Sequence, residues 1–279
     1  MPEKPEVITV CNSLKKKVLG RKIIKVEVFW DNIIEYPSKD LFIFRIKNQT
    51  INNINTRGKW LVFTLSKDIL LIHLRMEGKF FIRGVNDPKQ KHEHVFFTLD
   101  DDTQLRFSDT RKFGKMLLLT KEESLNRKPL ALLGYEYDDK NLTSDYLKNA
   151  FLRKNLPIKT VLLDQSIIAG IGNIYDDEIL FLSKINPLEK AKDLTNLDCK
   201  KIIDNTRIVL NKAIALGGTT IRTYESEEGV HGRFQNELLV HGKENLPCPV
   251  CGNPISKIKV NGRGTYYCSL CQSEKNSKI

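Results

Sequence analysis

Apolar residues recur with two periods along this chain, and the change of period divides it. Val7, Val10, Cys11, Leu14 and Val18 stand three and four residues apart, as on one face of an α-helix, and Gly20 follows where such a helix would stop. The period then shortens. Ile23 to Trp30, Leu41 to Ile46, Trp60 to Leu65, Ile69 to Leu74, His94 to Leu99, Gln104 to Ser108 and Lys115 to Leu119 are short runs rich in β-branched and aromatic residues. Turn clusters such as Ser66-Lys67-Asp68 and Asp100-Asp101-Asp102 separate them. Strands so closely spaced, with no helix between, predict an antiparallel sandwich or barrel.

Past Leu133 the helical period returns. Ser144 can cap a helix running to about Arg153, and Ile158, Val161, Leu162, Gln165 and Ile168 predict a second. Ile174 to Leu182 predict a third. Thr195 and Asp198 nearly match a capping box, and Cys199, Ile202, Ile203, Thr206, Val209, Leu210 and Ala213 keep the period up to Gly217. The pattern therefore predicts an α+β chain of two domains. Residues 1–133 form an N-terminal β-domain and 134–143 a polar, acidic linker. Residues 144–240 form a helical domain with an irregular stretch at 217–232, and 241–273 a cysteine module. No internal repeat or low-complexity tract interrupts this plan, and the last residues, Glu274 to Ile279, read as frayed.

Composition adds a partner class. The 279 residues are 41% hydrophobic and 28% charged, an ordinary globular mixture, but the net charge is +11. Such an excess suits a polyanion, although the abundance of Asn, Ile and Lys throughout gives it a second source. No run of 18 apolar residues occurs, and the start of the chain lacks the apolar core of a signal peptide, so a cytoplasmic protein is expected.

Four of the six cysteines form Cys248-x-x-Cys251 and Cys268-x-x-Cys271, separated by sixteen residues. Two chelating turns supplying four thiolates suit one tetrahedral Zn²⁺, structural because no position stays open for water. Ile255 to Val260 and Thr265 to Tyr267 read as a hairpin between the pairs, which makes the module a zinc ribbon. At its tip Asn261-Gly262-Arg263-Gly264 presents an arginine suited to phosphate or a DNA groove; a solvated turn arginine would look the same. Cys11 and Cys199 fall on apolar helix positions and read as core thiols. In the helical domain, Gly170-Ile171-Gly172 makes a tight turn before a helix starting near Asn173. That helix start, with Asn173 and Lys159, could hold a phosphate, or the segment is an ordinary interhelical turn; beside a zinc ribbon and a net charge of +11 the DNA reading is preferred.

The N-terminus adds candidate chemistry. Removal of Met1, which a small second residue permits, would leave Pro2 as a chain-terminal secondary amine with Glu3 and Glu6 close by. Pro5 suits the first helical position, so the amine would lie at the positive end of a helix dipole, which disfavours its protonation. Starting from a pKa near ~7.7–8.0, even a modest downward push leaves much of such an amine neutral and nucleophilic at pH 7. It can attack electrophilic carbon and form a cationic iminium. Seven residues alone favour a plain surface helix; the rest of the chain reverses that preference.

Together these residues resemble the bacterial formamidopyrimidine-DNA glycosylase family, over essentially the whole chain. The points of likeness are Pro2-Glu3-x-Pro5-Glu6, Arg57-Gly58-Lys59, His73-Leu74-x-Met76-x-Gly78 and Lys91-His92-Glu93-His94. Further on come Asp109-x-Arg111-Lys112-Phe113-Gly114, Asp164-Gln165 with Ala169 to Tyr175, Gly217-Gly218-Thr219-Thr220, and the ribbon with Arg263. The resemblance implies an N-terminal helix and antiparallel β-sandwich joined to a helix-two-turns-helix bundle with a zinc ribbon, DNA lying in the cleft between. It implies a monomer acting on double-stranded DNA that contains an oxidised base.

By position, the resemblance makes Pro2 the nucleophile at C1′, Glu3 the proton donor and Glu6 the support of the N-terminus. Lys59 is implicated in β-elimination and Arg263 in δ-elimination. Because a duplex hides C1′, the lesion must be flipped out. Met76, Arg111 and Phe113 match the family's void-filling wedge, with Arg111 favouring cytosine as the partner base; without the resemblance Met76 and Phe113 would read as core. His92, Lys154, Lys159 and Asn173 fall on backbone-contact positions, and Gly217 to Tyr224 open a loop that closes over the flipped purine. Departures are Lys4 for an apolar residue, Thr110 for a proline, Arg75 and Glu77 for a smaller pair, and His231-Gly232-Arg233-Phe234 in the loop. Two other readings compete. One is an endonuclease VIII-like enzyme preferring oxidised pyrimidines, which takes its wedge from one loop. The other is a non-catalytic DNA-binding zinc protein, which would not need Pro2, Glu3 and Lys59.

Overall fold

A computed structural model of the chain describes residues 1–219 and 232–274. They form two compact units: Met1–Ala131 with Gly217, Gly218, Thr219 and Gly232, and Leu132–Leu216 with the residues from Arg233 onward. The segment that opens at Gly217, assigned from sequence to the helical domain, thus has its first residues in the N-terminal unit. The rest of that loop, including Tyr224 and His231, lies outside the described residues.

The first unit begins with α1 (Lys4–Val18) and β1 (Ile23–Val28), then β2 (Ile34–Tyr36) and α2 (Lys39–Ile46). Strands β3 (Ile51–Arg57), β4 (Trp60–Leu65), β5 (Asp68–His73), β6 (Lys79–Gly84), β7 (Glu93–Leu99), β8 (Thr103–Ser108) and β9 (Lys115–Thr120) follow, and α3 (Lys121–Asn126) closes it. One sheet has the order β1-β7-β8-β6, the other β2-β9-β5-β4-β3. Neighbours are antiparallel except the parallel pair β2 and β9. Leu61, Phe63, Leu70, Phe97, Phe107 and Leu118 belong to one buried cluster, which Val7, Val10, Leu14 and Val18 of α1 join as the helical period required.

Leu41 to Ile46, expected as a strand, is helical. Phe42 and Ile46, four residues apart, are buried while Leu41 and Phe44 face out, and Ser38 Oγ accepts the Leu41 N–H. Six residues, apolar except for Arg45, are too few to separate the two structures by period. The edge strand β3 carries no clear strand signal in the sequence because Asn52, Asn53 and Asn55 interrupt its apolar positions.

Arg106 of β8 is 1% exposed. Its guanidinium bonds Glu93 Oε2 at 3.1 Å, Gln104 Oε1 at 2.9 Å and the Asp87 carbonyl at 2.7 Å, and lies 4.2 Å from the Phe96 ring centre. These partners tie the loop before β7 to the sheet. Each half of a buried pair satisfies the other, so losing one strands a charge.

The second unit contains α4 (Ser144–Phe151), α5 (Ile158–Leu162), α6 (Asn173–Ser183), α7 (Asn196–Ala215) and the hairpin β10 (Ser256–Val260) and β11 (Arg263–Tyr267). The capping box at α7 forms: Thr195 N–H donates to Asp198 Oδ2 at 2.9 Å and Asp198 N–H to Thr195 Oγ1 at 3.2 Å. The helix predicted through Ile168 stops at Leu162. Asp164 Oδ1 accepts the Ser166 N–H at 3.0 Å and turns the chain, while Ile167 and Ile168 still enter the core. Among the described residues no helix is long and apolar enough to cross a membrane.

Arg106→Leu should destabilise the first unit by about 3–5 kcal/mol by leaving Glu93 buried and unpaired. Adding Glu93→Gln should recover part of the loss. Urea unfolding of the single and double variants checks both.

Candidate active site

The start of α1 is an interior site. Pro2 is buried, and Glu3, Lys4 and Glu6 are each 5% exposed or less. Glu6 organises them. Its Oε2 accepts the Glu3 N–H at 2.8 Å, and its Oε1 accepts the Thr219 N–H at 2.8 Å and the Thr219 hydroxyl at 3.2 Å. A Cβ on Gly218, at φ +79°, would stand 2.6 Å from Glu6 Oε1, so only glycine fits that approach. Thr219 is a partner of the site that sequence reasoning missed. The Gly-Gly-Thr run marks it as unusual, but nothing in the sequence joins it to Glu6, 213 residues away.

Lys4 Nζ donates to Thr56 Oγ1 at 3.0 Å, tying the helix start to β3. There Gly58, at φ +53°, and Lys59 make the turn into β4. Lys59 is 6% exposed. Across the next strand His73 packs edge-on against Trp60, ring centres 4.8 Å apart. Burial, with the charges of Arg75 and Lys59, lowers the His73 pKa to about 3, so its ring is neutral and Nδ1 accepts the Arg75 N–H at 2.9 Å.

Met76 and Phe113 are 37% and 48% exposed, and Arg111 is exposed. They are not sandwich core. Both loops carrying them are held from within. Gly78 N–H bonds the Leu74 carbonyl at 2.9 Å. Asp109, fully buried, accepts N–H groups from Arg111 at 3.0 Å, Phe113 at 2.8 Å and Gly114 at 2.7 Å. The Arg111 guanidinium lies 4.9 Å from the Phe113 ring centre. His92, half-buried, accepts the Asp109 N–H at its carbonyl, and His94 Nε2 bonds the Asp109 carbonyl at 2.8 Å.

In the second unit, the four cysteine sulfurs lie within 4.8 Å of one another. The spacings Cys248–Cys271 of 3.9 Å and Cys251–Cys268 of 3.4 Å are far from a disulfide and near the edge of a thiolate tetrahedron. Val250 and Cys271 aim N–H groups at Cys248 Sγ and Cys268 Sγ, as thiolates require. The four-cysteine module is a structural zinc site.

Arg263 opens β11 and is exposed. Asn261 and Gly262, at φ +44° and +81°, form the two-residue turn before it. Asn261 Nδ2 donates to Thr160 Oγ1 at 3.0 Å, and Asn173 Nδ2 to the Gly264 carbonyl at 2.9 Å. Asn173, expected to point its side chain at a phosphate, spends that donor on the ribbon.

Lys159 requires correction as a side-chain phosphate contact. It is fully buried, with Nζ 2.6 Å from Asp177 Oδ1, 3.5 Å from Asp176 Oδ2 and 3.0 Å from the Asn173 carbonyl. A lysine satisfied in this way carries no free donor to the surface. Lys154 is half-buried and pairs with Asp164 at 3.6 Å.

Sandwich, helical bundle and thiolate ribbon together define a zinc-ribbon protein of the helix-two-turns-helix class. Three family models match it in chain order. The formamidopyrimidine-DNA glycosylase N-terminal domain matches residues 1–116 and the H2TH domain of that enzyme 133–225. The zinc finger found in FPG and IleRS matches 245–273. The chain belongs to the formamidopyrimidine-DNA glycosylase family. It is 44% identical over 276 residues to the formamidopyrimidine-DNA glycosylase of Bacillus subtilis, covering 99% of this chain and all of that one. To that of Listeria monocytogenes it is 42% identical over 272 residues, covering 98% and 100%. The Lactococcus lactis Fpg solved with DNA containing an abasic site superposes with a TM-score of 0.91 at 37% identity, covering 98% of this chain and 100% of that one.

Two outcomes follow from this geometry. The unfolded chain protonates His73 near 6.5 and the folded one only near about 3. Its share of stability is therefore complete above pH 6.5 and is lost as pH falls toward 3, at no more than about 1.4 kcal/mol per pH unit. In urea melts at pH 7.5, 6.0 and 5.0, His73→Gln should show a shallower fall than the parent. Chelation of the metal should unfold the ribbon and abolish DNA binding while the circular dichroism of the sandwich persists.

Proposed function

We infer that this protein is a base-excision DNA glycosylase that removes oxidised purines, 8-oxoguanine and formamidopyrimidines, from duplex DNA and then cleaves the strand. The observation that carries this reading is the buried start of α1, where Glu6 holds both the Glu3 amide and Thr219. A plain surface helix has no reason to bury two carboxylates. Solved relatives support the substrate class: the Lactococcus lactis enzyme was crystallised with Fapy-dG DNA, and MutM with carbocyclic 8-oxo-G DNA.

With Met1 removed, the Pro2 nitrogen attacks C1′ of the flipped nucleotide. The base departs with the glycosidic electron pair, the proline nitrogen gives up its proton, and Glu3 delivers a proton to the sugar O4′ as the C1′–O4′ bond opens to the iminium. The resulting iminium acidifies the C2′ proton. Its loss expels the 3′ phosphate, and a second elimination expels the 5′ phosphate, with Lys59 serving the first and Arg263 the second. Met76, Arg111 and Phe113 fill the vacated stack, and Arg111 bonds the orphaned base. His92, Lys154 and the backbone amides at the start of α6 hold phosphates. Zinc takes no part in bond breaking; its four thiolates hold the ribbon on which Arg263 stands. The enzyme works as a monomer on cytoplasmic DNA.

A second reading, preference for oxidised pyrimidines, is kept in view because the Lactococcus lactis enzyme was also solved with oxidised-pyrimidine DNA. Cleavage of 8-oxoguanine:C duplex should exceed that of thymine glycol:A; the reverse order selects the second reading. Borohydride should trap a covalent complex with lesion DNA, and Pro2→Gly should weaken it. Glu3→Gln should slow base excision by about 10²–10⁴-fold, the range of a lost proton donor, while cleavage of a preformed abasic site persists. Binding without any trapped species would leave a DNA-binding module instead.

A further inference from the structure

The two loops that carry Met76 and the Arg111–Phe113 pair run side by side. Residues 74–78 lead from β5 in one sheet to β6 in the other, and 109–114 lead from β8 back to β9. Strand β6 pairs with β8 and β5 with β9, so both crossings leave the same edge of the sandwich. They also rest on one floor. A Cβ on Gly78 would come within 2.8 Å of the Phe107 ring, and a Cβ on Gly114 within 2.7 Å of it.

Each loop is fixed from within by its own bonds. Arg75, at φ +53°, is tied to His73, and the second loop is gathered around the Asp109 carboxylate. Neither set of bonds crosses from one loop to the other. A side-chain hydrogen bond does: the Thr110 hydroxyl donates to Glu77 Oε2. Glu77 follows Met76 directly, and Thr110 directly precedes Arg111. Glu77 is half-buried and Thr110 exposed, so neither is needed to fill the core.

We propose that the Thr110–Glu77 hydrogen bond is a latch that holds the two loops in register, and so sets how strictly the base opposite the lesion is selected. The physical ground is the division of labour between the loops. Arg111 can reward the correct partner base only while Met76 keeps the vacated stack filled at a fixed distance from it. A hydrogen bond to a carboxylate is short, directional and stronger than a neutral one. Met76 and Arg111 themselves touch DNA in this scheme; Thr110 and Glu77 are positioning residues that act through them.

This inference rests on the wedge assignment made above, and the experiment separates the two. The full-length, zinc-loaded enzyme is assayed on 8-oxoguanine opposite C and opposite A, and the ratio of kcat/KM values is taken as discrimination. The parent, Arg111→Ala, Thr110→Val, Thr110→Ser, Glu77→Ala and Thr110→Val/Glu77→Ala are compared, with thermal melts of each. Thr110→Val and Glu77→Ala should each lower discrimination by about 3- to 10-fold, the scale of one lost hydrogen bond. The double variant should lose no more than either single one, and Thr110→Ser, which keeps the hydroxyl, should retain the parental ratio. Because discrimination is a ratio on the same enzyme, removal of the Glu77 charge, which changes affinity for all DNA alike, cancels.

If the parent discriminates and Arg111→Ala abolishes this, but Thr110→Val and Glu77→Ala keep the parental ratio, the latch is wrong and the wedge stands. Additive losses in the double variant, or an equal loss in Thr110→Ser, also overturn it, because they assign the effect to each side chain separately. If discrimination survives Arg111→Ala, the wedge assignment fails, and the latch with it. Should either single variant fail to fold, the other removes the same bond from its opposite end.

Discussion

Burying a carboxylate is costly unless donors surround it, and Glu6 meets that demand from two distant parts of the chain. Its donors are the Glu3 amide, beside the residue assigned as nucleophile, and the amide and hydroxyl of Thr219. The start of α1 and the opening of the 217–232 stretch are therefore held through a single side chain. Had Glu6 been exposed, the N-terminus would fray as chain ends do, and a terminal amine would have no fixed line of attack. Gly218 completes the arrangement, because any side chain there would collide with the carboxylate.

The second unit uses the same device to mount its ribbon. Glu178 of α6 accepts the N–H groups of Leu239, Val240 and His241 at 2.8, 3.0 and 2.8 Å. Burial pushes the Glu178 pKa up, against the pull of those three donors. Its neighbour Asp177 divides its oxygens between Lys159 and His241 Nδ1, each at 2.6 Å. Asn186 and Gln272 add bonds between the bundle and the last turn of the ribbon. A module of this size has little apolar core of its own; zinc closes it and these carboxylates orient it. The burial of Lys159 follows directly: its charge balances Asp176 and Asp177, the second of which also holds His241, so it is an interior counter-ion instead of a surface cation.

Much of this architecture is legible in the order of residues alone. The period of Val7 to Val18, the strands expected from Trp60, Ile69, His94, Gln104 and Lys115, the capping box at Thr195 and the paired cysteines are local signals, and each is found where its pattern put it, whereas β6 is not among the expected strands. What escapes such a reading depends on distance along the chain or on which face is covered. The run from Leu41 to Ile46 is apolar except for Arg45 and too short to show a period. Strand β3 is polar because only one of its faces needs an apolar partner. Thr219, Thr160 and Asn261 act on residues more than a hundred positions away, apart from any motif. Lys159 shows the reverse failure, since a positive residue beside a turn expected to bind phosphate looks the same in sequence whether it faces solvent or two carboxylates.

The exposed Met76 and Phe113, the residues proposed as the wedge, mark a place where function would overrule stability. Met76 and Phe113 hold large apolar surface in water on loops that need a left-handed residue each, Arg75 and Lys112. The sandwich tolerates this because Asp109, His73 and the Phe107 floor fix the backbone beneath them. A side chain that must enter a duplex cannot also be part of the core, so its rigidity has to come from the backbone that carries it. Buried groups, a neutral histidine and a thrice-bonded aspartate, supply that rigidity here. The same requirement explains why polar ties instead of apolar contacts hold the loops proposed to meet DNA: directional bonds fix a loop in one place, whereas burial alone would draw its tip inward.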